Sequence, residues 1–154
     1  MTQCYKSGDF KKYFNENMKA LGLPVPQTFF DTYNAAIANT AILVDTLGSL
    51  RKGATIGDLI RSSSGLEKLK VAAAFGAAGY IGAVIGSIAI ATGRSFACGN
   101  QISDLFVFTN QNNLNFEGLF PLILNNMVII DEGRPSRSSY GPRIIHSPTS
   151  FDYS

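Results

Sequence analysis

A long uncharged stretch, residues 71–92, constrains the fold of this chain more than any other feature. It contains 22 residues, VAAAFGAAGYIGAVIGSIAIAT, and charged residues flank it at Lys70 and Arg94. As a single helix it would be ~33 Å long, which matches the hydrocarbon core of a bilayer. The stretch therefore predicts either a membrane-spanning helix or the central, buried helix of a soluble bundle.

Small residues recur along this stretch at helical spacing. One row consists of Ala74, Ala78, Gly82 and Gly86, and a second consists of Ala72, Gly76, Gly79, Ala83 and Gly86. Each glycine costs a helix roughly 1 kcal/mol relative to alanine, so such rows indicate that another backbone approaches closely. In lipid, this close approach is what lets helices associate. The candidate residues for membrane insertion and zipper-like association are therefore Gly76, Gly79, Gly82, Ala83 and Gly86.

The rest of the chain predicts further helices. They span residues 10–21, 29–50, 55–61, 65–92, 103–108 and 116–126, with a short strand or extended end at 128–130. The first is amphipathic, and glycines end two of them, Gly22 the first and Gly93 the helix 65–92. The expected N-terminal caps are Thr28, Ser103 and the capping box of Thr55 with Asp58. No stretch shows the alternation that is typical of strands. We therefore expect an all-α fold, a small helical bundle wrapped around one central hydrophobic glycine-rich helix.

Asp45 distinguishes the second predicted helix from a membrane-spanning one. It interrupts the apolar run 35–50, and a carboxylate at a helix centre raises the cost of membrane insertion by ~3 kcal/mol. We expect this helix to pack against the glycine-rich one. A second membrane element is the alternative, and in that case Asp45 would face a bundle interior or water, not lipid. An apolar helix exposed to water would aggregate, so the resting protein must cover it. The expected covers are residues 10–21, 29–50, 104–108 and 116–130.

The composition changes at Glu132. Residues 132–154 contain three prolines and six serines, so they form little core and predict a tail that is either ordered by contact or disordered. The chain therefore divides into a helical domain, residues 1–131, and an irregular Pro/Ser-rich tail, residues 132–154.

Composition also excludes several classes of function. The net charge is +2 and only 16% of residues are charged, and no basic run has the interleaved aromatic residues of a nucleic-acid surface. The first 22 residues have no apolar core of signal-peptide length, so we do not expect the general secretory route. Cys4 and Cys98 permit one disulfide or a free pair, and neither has a second ligand at metal-binding spacing. No metal or cofactor is expected.

Catalytic chemistry has little support in the sequence. The single histidine, His146, lies in the tail, and Cys98 follows the end of a predicted helix, where its thiol lacks the activating dipole of a helix N-terminus. Asp131 and Glu132 are adjacent, and adjacent side chains usually diverge. We therefore assign no catalytic residue and do not expect an enzyme.

The zipper residues give the chain a resemblance to a known class. It resembles the small glycine-zipper, pore-forming antibacterial effectors of the bacterial type VI secretion system. The similarity covers residues 66–94 by motif, through Gly76, Gly79, Gly82 and Gly86, and the rest of the chain by size and order. Asp45 departs from the two-helix hairpin that such a protein would ideally insert.

The resemblance implies a function and a set of partners. Such a toxin is carried inside a ring protein of the secretion tube, leaves the cytoplasm by contact-dependent delivery and is neutralised by a cognate immunity protein. It self-associates in the inner membrane of the recipient cell and causes ion leakage. Two alternatives remain open: a non-enzymatic soluble helical binding module whose apolar helix is only core, and a small integral membrane protein.

Overall fold

The fold was analysed in a computed structural model that describes residues 9–26, 29–50, 53–63, 66, 73–94, 99 and 101–145. The α-helices in these residues are α1 Phe10–Ala20, α2 Tyr33–Gly48, α3 Ile56–Ser62, α4 Ala77–Ala91, α5 Ile102–Gln111, α6 Leu119–Asn125 and α7 Tyr140–Arg143. The described residues also contain the 3₁₀ turns Met127–Ile129 and Arg137–Ser139. The described residues form no strand, only isolated bridges. The predicted all-α class is confirmed.

Helix α1 has the predicted amphipathic pattern. Phe10, Tyr13, Phe14 and Met18 are buried on one face, as their spacing of three and four residues requires. The polar Asn17 lies on the same buried face. Gly22 follows the helix with φ +75°, a left-handed conformation that favours glycine and ends the helix.

Helix α2 begins later than predicted. The prediction placed its first residue at Phe29, but the helix starts at Tyr33 because the Thr32 hydroxyl accepts a hydrogen bond from the Ala35 amide at 3.1 Å. A hydroxyl in this position satisfies one of the amides that the first turn leaves unpaired. Thr28, the predicted cap, lies outside the described residues.

The predicted capping box of α3 is confirmed. Asp58 accepts a hydrogen bond from the Thr55 amide at 2.9 Å, and the Asp58 amide donates to the Thr55 hydroxyl at 3.4 Å. The hydrogen bond from the Thr55 backbone is the largest factor that lowers the pKa of Asp58. The two residues thus fix the start of the helix by satisfying each other's backbone donors.

Helix α4 is shorter than the predicted helix 65–92. It starts at Ala77, while Phe75 and Gly76 are extended and residues 67–72 lie outside the described part of the chain. The physical reason is non-local pairing: the Phe75 carbonyl accepts from the Ile56 amide at 2.8 Å, and the Gly76 amide donates to the Ile144 carbonyl at 2.7 Å. These bonds hold the backbone in a conformation that a helix cannot adopt.

The predicted end of this helix is correct. Gly93 has φ +83° and donates to the Ile90 carbonyl, and the Arg94 amide donates to the Ala89 carbonyl at 2.9 Å. This is the hydrogen-bond pattern of a Schellman motif. Helix α4 therefore contains 15 residues. Among the described helices, none has both the length and the apolar character needed to cross a membrane.

Helix α4 lies deep in the core. All of its residues except Ala78 are buried, and it packs most extensively against α1 and α2, with further contacts to α3, α5, α6 and the turn Met127–Ile129. That turn occupies the position where we predicted a short strand or extended end. It closes instead through backbone bonds from Ile129 to Asn126 and from Ile130 to Met127.

Helices α5 and α6 start near their predicted positions. The α5 cap is Gln101, paired with Asp104, not the predicted Ser103. Helix α6 follows Gly118, which has φ +95°. Pro121 lies in its first turn, where no helical hydrogen bond is lost.

The described part of the predicted tail packs against the helices. Tyr140 is 1% exposed and Ile144 is 5% exposed, so the expectation that this segment buries little is wrong for these two side chains. The Gly141 amide donates to the Leu21 carbonyl at 2.8 Å. Contact, not composition, orders this part of the chain, since its own apolar residues are too few to form a separate core.

Candidate functional site

The structure places four of the five candidate zipper residues on α4. Gly79, Gly82, Ala83 and Gly86 are helical and buried, whereas Gly76 is the residue before the helix and has extended backbone angles. Gly76 therefore does not belong to the helical row. The glycines at 79, 82 and 86, spaced by three and four residues, form one surface that we call the glycine face.

Branched aliphatic side chains fill the glycine face. A β-carbon added at Gly79 would lie 2.9 Å from Ile144 Cγ2. One added at Gly82 would lie 2.5 Å from Leu122 Cδ2. Real β-carbons are not found this close to another carbon, so each glycine is a hole that receives one neighbouring side chain.

Gly86 shows the closest approach. A β-carbon there would collide with Ile129 Cγ2 and would lie 3.0 Å from Ile130 Cγ2. Because Leu122, Ile129 and Ile144 all follow α5 in the chain, a single contiguous region fills the whole glycine face. We call this region, residues 119–145, the cover segment.

Hydrogen bonds attach the end of the cover segment to the core. The Tyr140 hydroxyl donates to the Gly79 carbonyl at 2.8 Å. This bond lies beside the hole that Ile144 fills, where glycine leaves the helix backbone without a side chain. The segment therefore reaches the backbone of α4 as well as its surface.

A polar network attaches the middle of the cover segment to α1. Asn17, which is 4% exposed, donates to the Ser87 hydroxyl at 2.9 Å and to the Ile129 carbonyl at 3.1 Å. Arg137 donates to the Asn17 side-chain oxygen. It also donates to the Val128 carbonyl at 2.8 Å. Buried polar groups that satisfy one another in this way fix one register of packing.

Acidic residues neighbour this network. Burial raises the pKa of Glu132, and the positive charge of Arg137 opposes that rise. Burial also lowers the pKa of the half-buried Arg137, while Glu132 and Asp131 act in the opposite direction. Arg137 is therefore a partly desolvated cation that neutralises charge within the cover segment and donates to α1.

A second surface feature is an open groove of about 920 Å³ between the end of α2 and the loop after α5. Asp45 and Glu117 line it together with Ile42, Phe116 and three asparagines. Asp45, the residue that interrupts the predicted apolar run, therefore faces this groove. Among the described residues, no cluster of histidine, cysteine or carboxylate side chains is arranged to hold a metal ion.

Sequence reasoning found the glycines but missed their partners. Arg137, Tyr140 and Ile144 lie in the segment that composition assigned to a tail. Asn17 carried a signal, because a polar residue on the apolar stripe of an amphipathic helix needs a buried partner. Cys4, Cys98 and His146 lie outside the described residues.

No known protein family matches the chain, and no curated protein or solved structure is significantly similar to it. The functional assignment therefore depends on the glycine face and its polar network.

Proposed function

We propose that this chain is a non-enzymatic, membrane-permeabilising antibacterial toxin. In its closed form the cover segment fills the glycine face, as in this structure. The observation that supports the proposal is the filling of the glycine face of an uncharged helix by side chains from one contiguous C-terminal segment. The same glycines that receive side chains of the cover segment can instead receive a helix of another copy. Helices in lipid associate through the same kind of small-residue surface.

The proposed membrane form exchanges intramolecular for intermolecular packing. When the cover segment leaves, the holes at Gly79, Gly82 and Gly86 become available to α4 of another copy. The uncharged character of residues 71–92 favours lipid as the surroundings of such an assembly. Ion leakage would follow from the association of several copies in the bilayer.

The length of α4 defines what must change on insertion. Its 15 residues span ~22 Å, whereas a bilayer core is ~30 Å thick. Residues 71–76 must therefore join the helix, which requires Phe75 and Gly76 to release their hydrogen bonds to Ile56 and Ile144. A continuous helix over 71–92 would then have a spanning length.

Delivery and partners rest on the resemblance alone. We propose contact-dependent export from the cytoplasm inside a ring protein of the secretion tube, action at the inner membrane of the recipient cell, and neutralisation by a cognate immunity protein. A carrier that encloses the chain would protect its apolar core during transfer.

A second candidate function is a non-enzymatic helical binding module. The observation that favours it is the complete occupation of the glycine face by the chain's own side chains, since core packing by itself is a sufficient reason for these glycines. In that case α4 never leaves the core. The open groove beside Asp45 is the surface that a partner would then use.

Membrane potential in live bacteria separates the two candidates. We expect expression directed to the inner membrane to collapse the potential without lysis, as measured with a potential-sensitive dye. Gly82→Leu should abolish the effect, because the added side chain holds helices apart. Gly48→Leu is the matched control, since no atom lies within 4 Å of a β-carbon at Gly48. A stable potential with the wild-type chain would favour the binding module.

A further inference from the structure

The cover segment closes one side of the core. Its buried hydrophobic side chains are Leu119, Leu122, Ile123, Ile129, Ile130, Tyr140 and Ile144. Hydrogen bonds join it to the Gly79 carbonyl from Tyr140, to Asn17 of α1 from Arg137 and to the Leu21 carbonyl from Gly141, and its Ile144 carbonyl accepts from the Gly76 amide. Helices α1 and α2 also pack directly on α4. The cover segment therefore joins helices that have packing contacts of their own.

We propose that residues 119–145 are a detachable cover of the glycine face and that Arg137 is the latch that keeps it closed. The inference depends on the proposed function for its consequence, because membrane association would use the face that the cover occupies. Detachment of the segment does not depend on that function, and it can be measured on the protein in water without a membrane.

The geometry of the chain before the cover segment permits detachment. Asn113 has φ +58° and Gly118 has φ +95°, so the connection between α5 and α6 contains two left-handed residues within one short loop. Rotation of the backbone in this loop would move residues 119–145 relative to the elements that precede it, and it would separate the stacked rings of Phe106 and Phe120. Local opening of proteins follows contiguous units of the chain.

Arg137 acts as the latch because it joins the two sides. Its guanidinium donates to the carbonyls of Val128 and Ile129 within the cover segment and to Asn17 on α1. Removing it leaves the buried Asn17 oxygen without this charged donor, and loss of such a bond weakens the closed state more than loss of a neutral one.

Arg143 provides a matched control in the same segment. It is exposed, and its contacts are with Asn126 at 3.4 Å and with the ring of Tyr140. Both partners belong to the cover segment, so Arg143 does not bridge to α1. Truncating Arg143 removes a positive charge from the cover segment without removing a contact between that segment and α1.

The first experiment measures opening in water by hydrogen exchange of the full-length chain. We expect Arg137→Ala to speed amide exchange in residues 119–145 by roughly 10- to 100-fold, while α1 and α4 keep their protection. Arg143→Ala should leave the exchange pattern at the wild-type level. Arg137→Lys should give an intermediate rate, because lysine retains the charge without the planar fork.

The second experiment closes the cover covalently. Phe75 and Ile145 face each other in an antiparallel bridge, and the Cα atoms of such a pair lie ~4.5–5.5 Å apart, within the range found in disulfides. Phe75→Cys with Ile145→Cys, in a chain carrying Cys4→Ser and Cys98→Ser, should therefore form a lock that leaves the glycine face unchanged. The readout is dye release from vesicles of phosphatidylethanolamine and phosphatidylglycerol. The reduced form of the same protein is the control, and we expect it to release dye while the oxidised form does not.

Each outcome decides between the claims. Uniformly faster exchange in α1, α4 and the cover segment of Arg137→Ala would overturn the detachable cover. Dye release at the same measurable rate from the oxidised and the reduced protein would also overturn it. Selective opening without dye release from any form would refute the proposed membrane function and leave the detachable cover standing. Selective opening together with release from the reduced form alone supports both.

Discussion

Tyr140 donates its hydroxyl hydrogen to the carbonyl oxygen of Gly79 at 2.8 Å, across 61 positions of the chain. The bond joins the segment that composition assigns to a tail to the first turn of the glycine-rich helix. Glycine at position 79 leaves room for the neighbouring Ile144 on the same turn of the helix. Glycine face and cover segment are therefore one packing unit.

Removal of this hydroxyl should weaken the closed protein. We expect Tyr140→Phe to lower the free energy of unfolding by ~1 kcal/mol, because the Gly79 carbonyl loses a buried donor while the ring still fills its site. Urea denaturation followed by circular dichroism would measure the change. Tyr33→Phe, on the partly exposed first turn of α2, is the control and should stay within about 0.5 kcal/mol of wild type.

Two glycine-to-alanine substitutions should change the free energy of unfolding in opposite directions. Gly86→Ala forces a β-carbon against Ile129, and overpacking of this kind costs ~1–3 kcal/mol, more than the gain in helix propensity returns. Gly48→Ala meets open space near the end of α2 and should gain up to ~1 kcal/mol. Thermal unfolding of the two variants would test this. A stabilised Gly86→Ala would contradict the packing of Ile129 on this glycine.

Glu132 should make stability depend on pH. Because burial raises its pKa above the ordinary value of 4.5, the folded protein binds this proton more tightly than the unfolded chain does. The free energy of unfolding should therefore fall as the pH rises through the window above 4.5. Arg137 opposes this effect and Asp131 adds to it.

The variant that tests this pH dependence is Glu132→Gln. We expect it to be more stable than wild type at pH 7 and to lose that advantage as the pH falls toward 4.5, since a protonated glutamate and a glutamine are both neutral. Urea midpoints measured across this range would give the difference. A constant difference between the two proteins at every pH would contradict the prediction.

The Asp58 carboxylate should stabilise α3 only while it is ionised. Its pKa is lowered chiefly by the hydrogen bond from the Thr55 backbone, so the contribution is present above the ordinary value of 3.8 and is lost as the pH falls through the folded value. At pH 7, Asp58→Ala should cost ~1 kcal/mol through loss of the capping box. Asp45→Ala, which removes no helix cap, is the control in the same denaturation experiment.

The predicted fold and the observed one agree where local chemistry decides. The capping box of Thr55 and Asp58, the glycine end of α1 at Gly22 and the Schellman end of α4 at Gly93 all depend on residues within one or two turns. Such features can be recognised in the sequence because their hydrogen bonds close within a few residues. The amphipathic stripe of α1 is recognisable for the same reason.

The predicted start of α4 failed because its cause is distant in the chain. Helix propensity over residues 65–76 contains no information about the amide of Ile56 or the carbonyl of Ile144, which hold Phe75 and Gly76 extended. The burial of Arg137 and Tyr140 could not be predicted for the same reason. Their environment looks polar and irregular in the sequence, and only the contact with α1 and α4 buries them.

The sequence by itself determined that the chain is helical and that some backbone or side chain must approach α4 closely, because glycines in a helix interior lose stability unless packing compensates. It did not determine which group approaches. Tertiary structure decided that Leu122, Ile129 and Ile144 fill the glycine face and that Arg137 joins them to Asn17. The physical reason is that a glycine specifies only the absence of a side chain, whereas its partner is selected by the path of the whole chain.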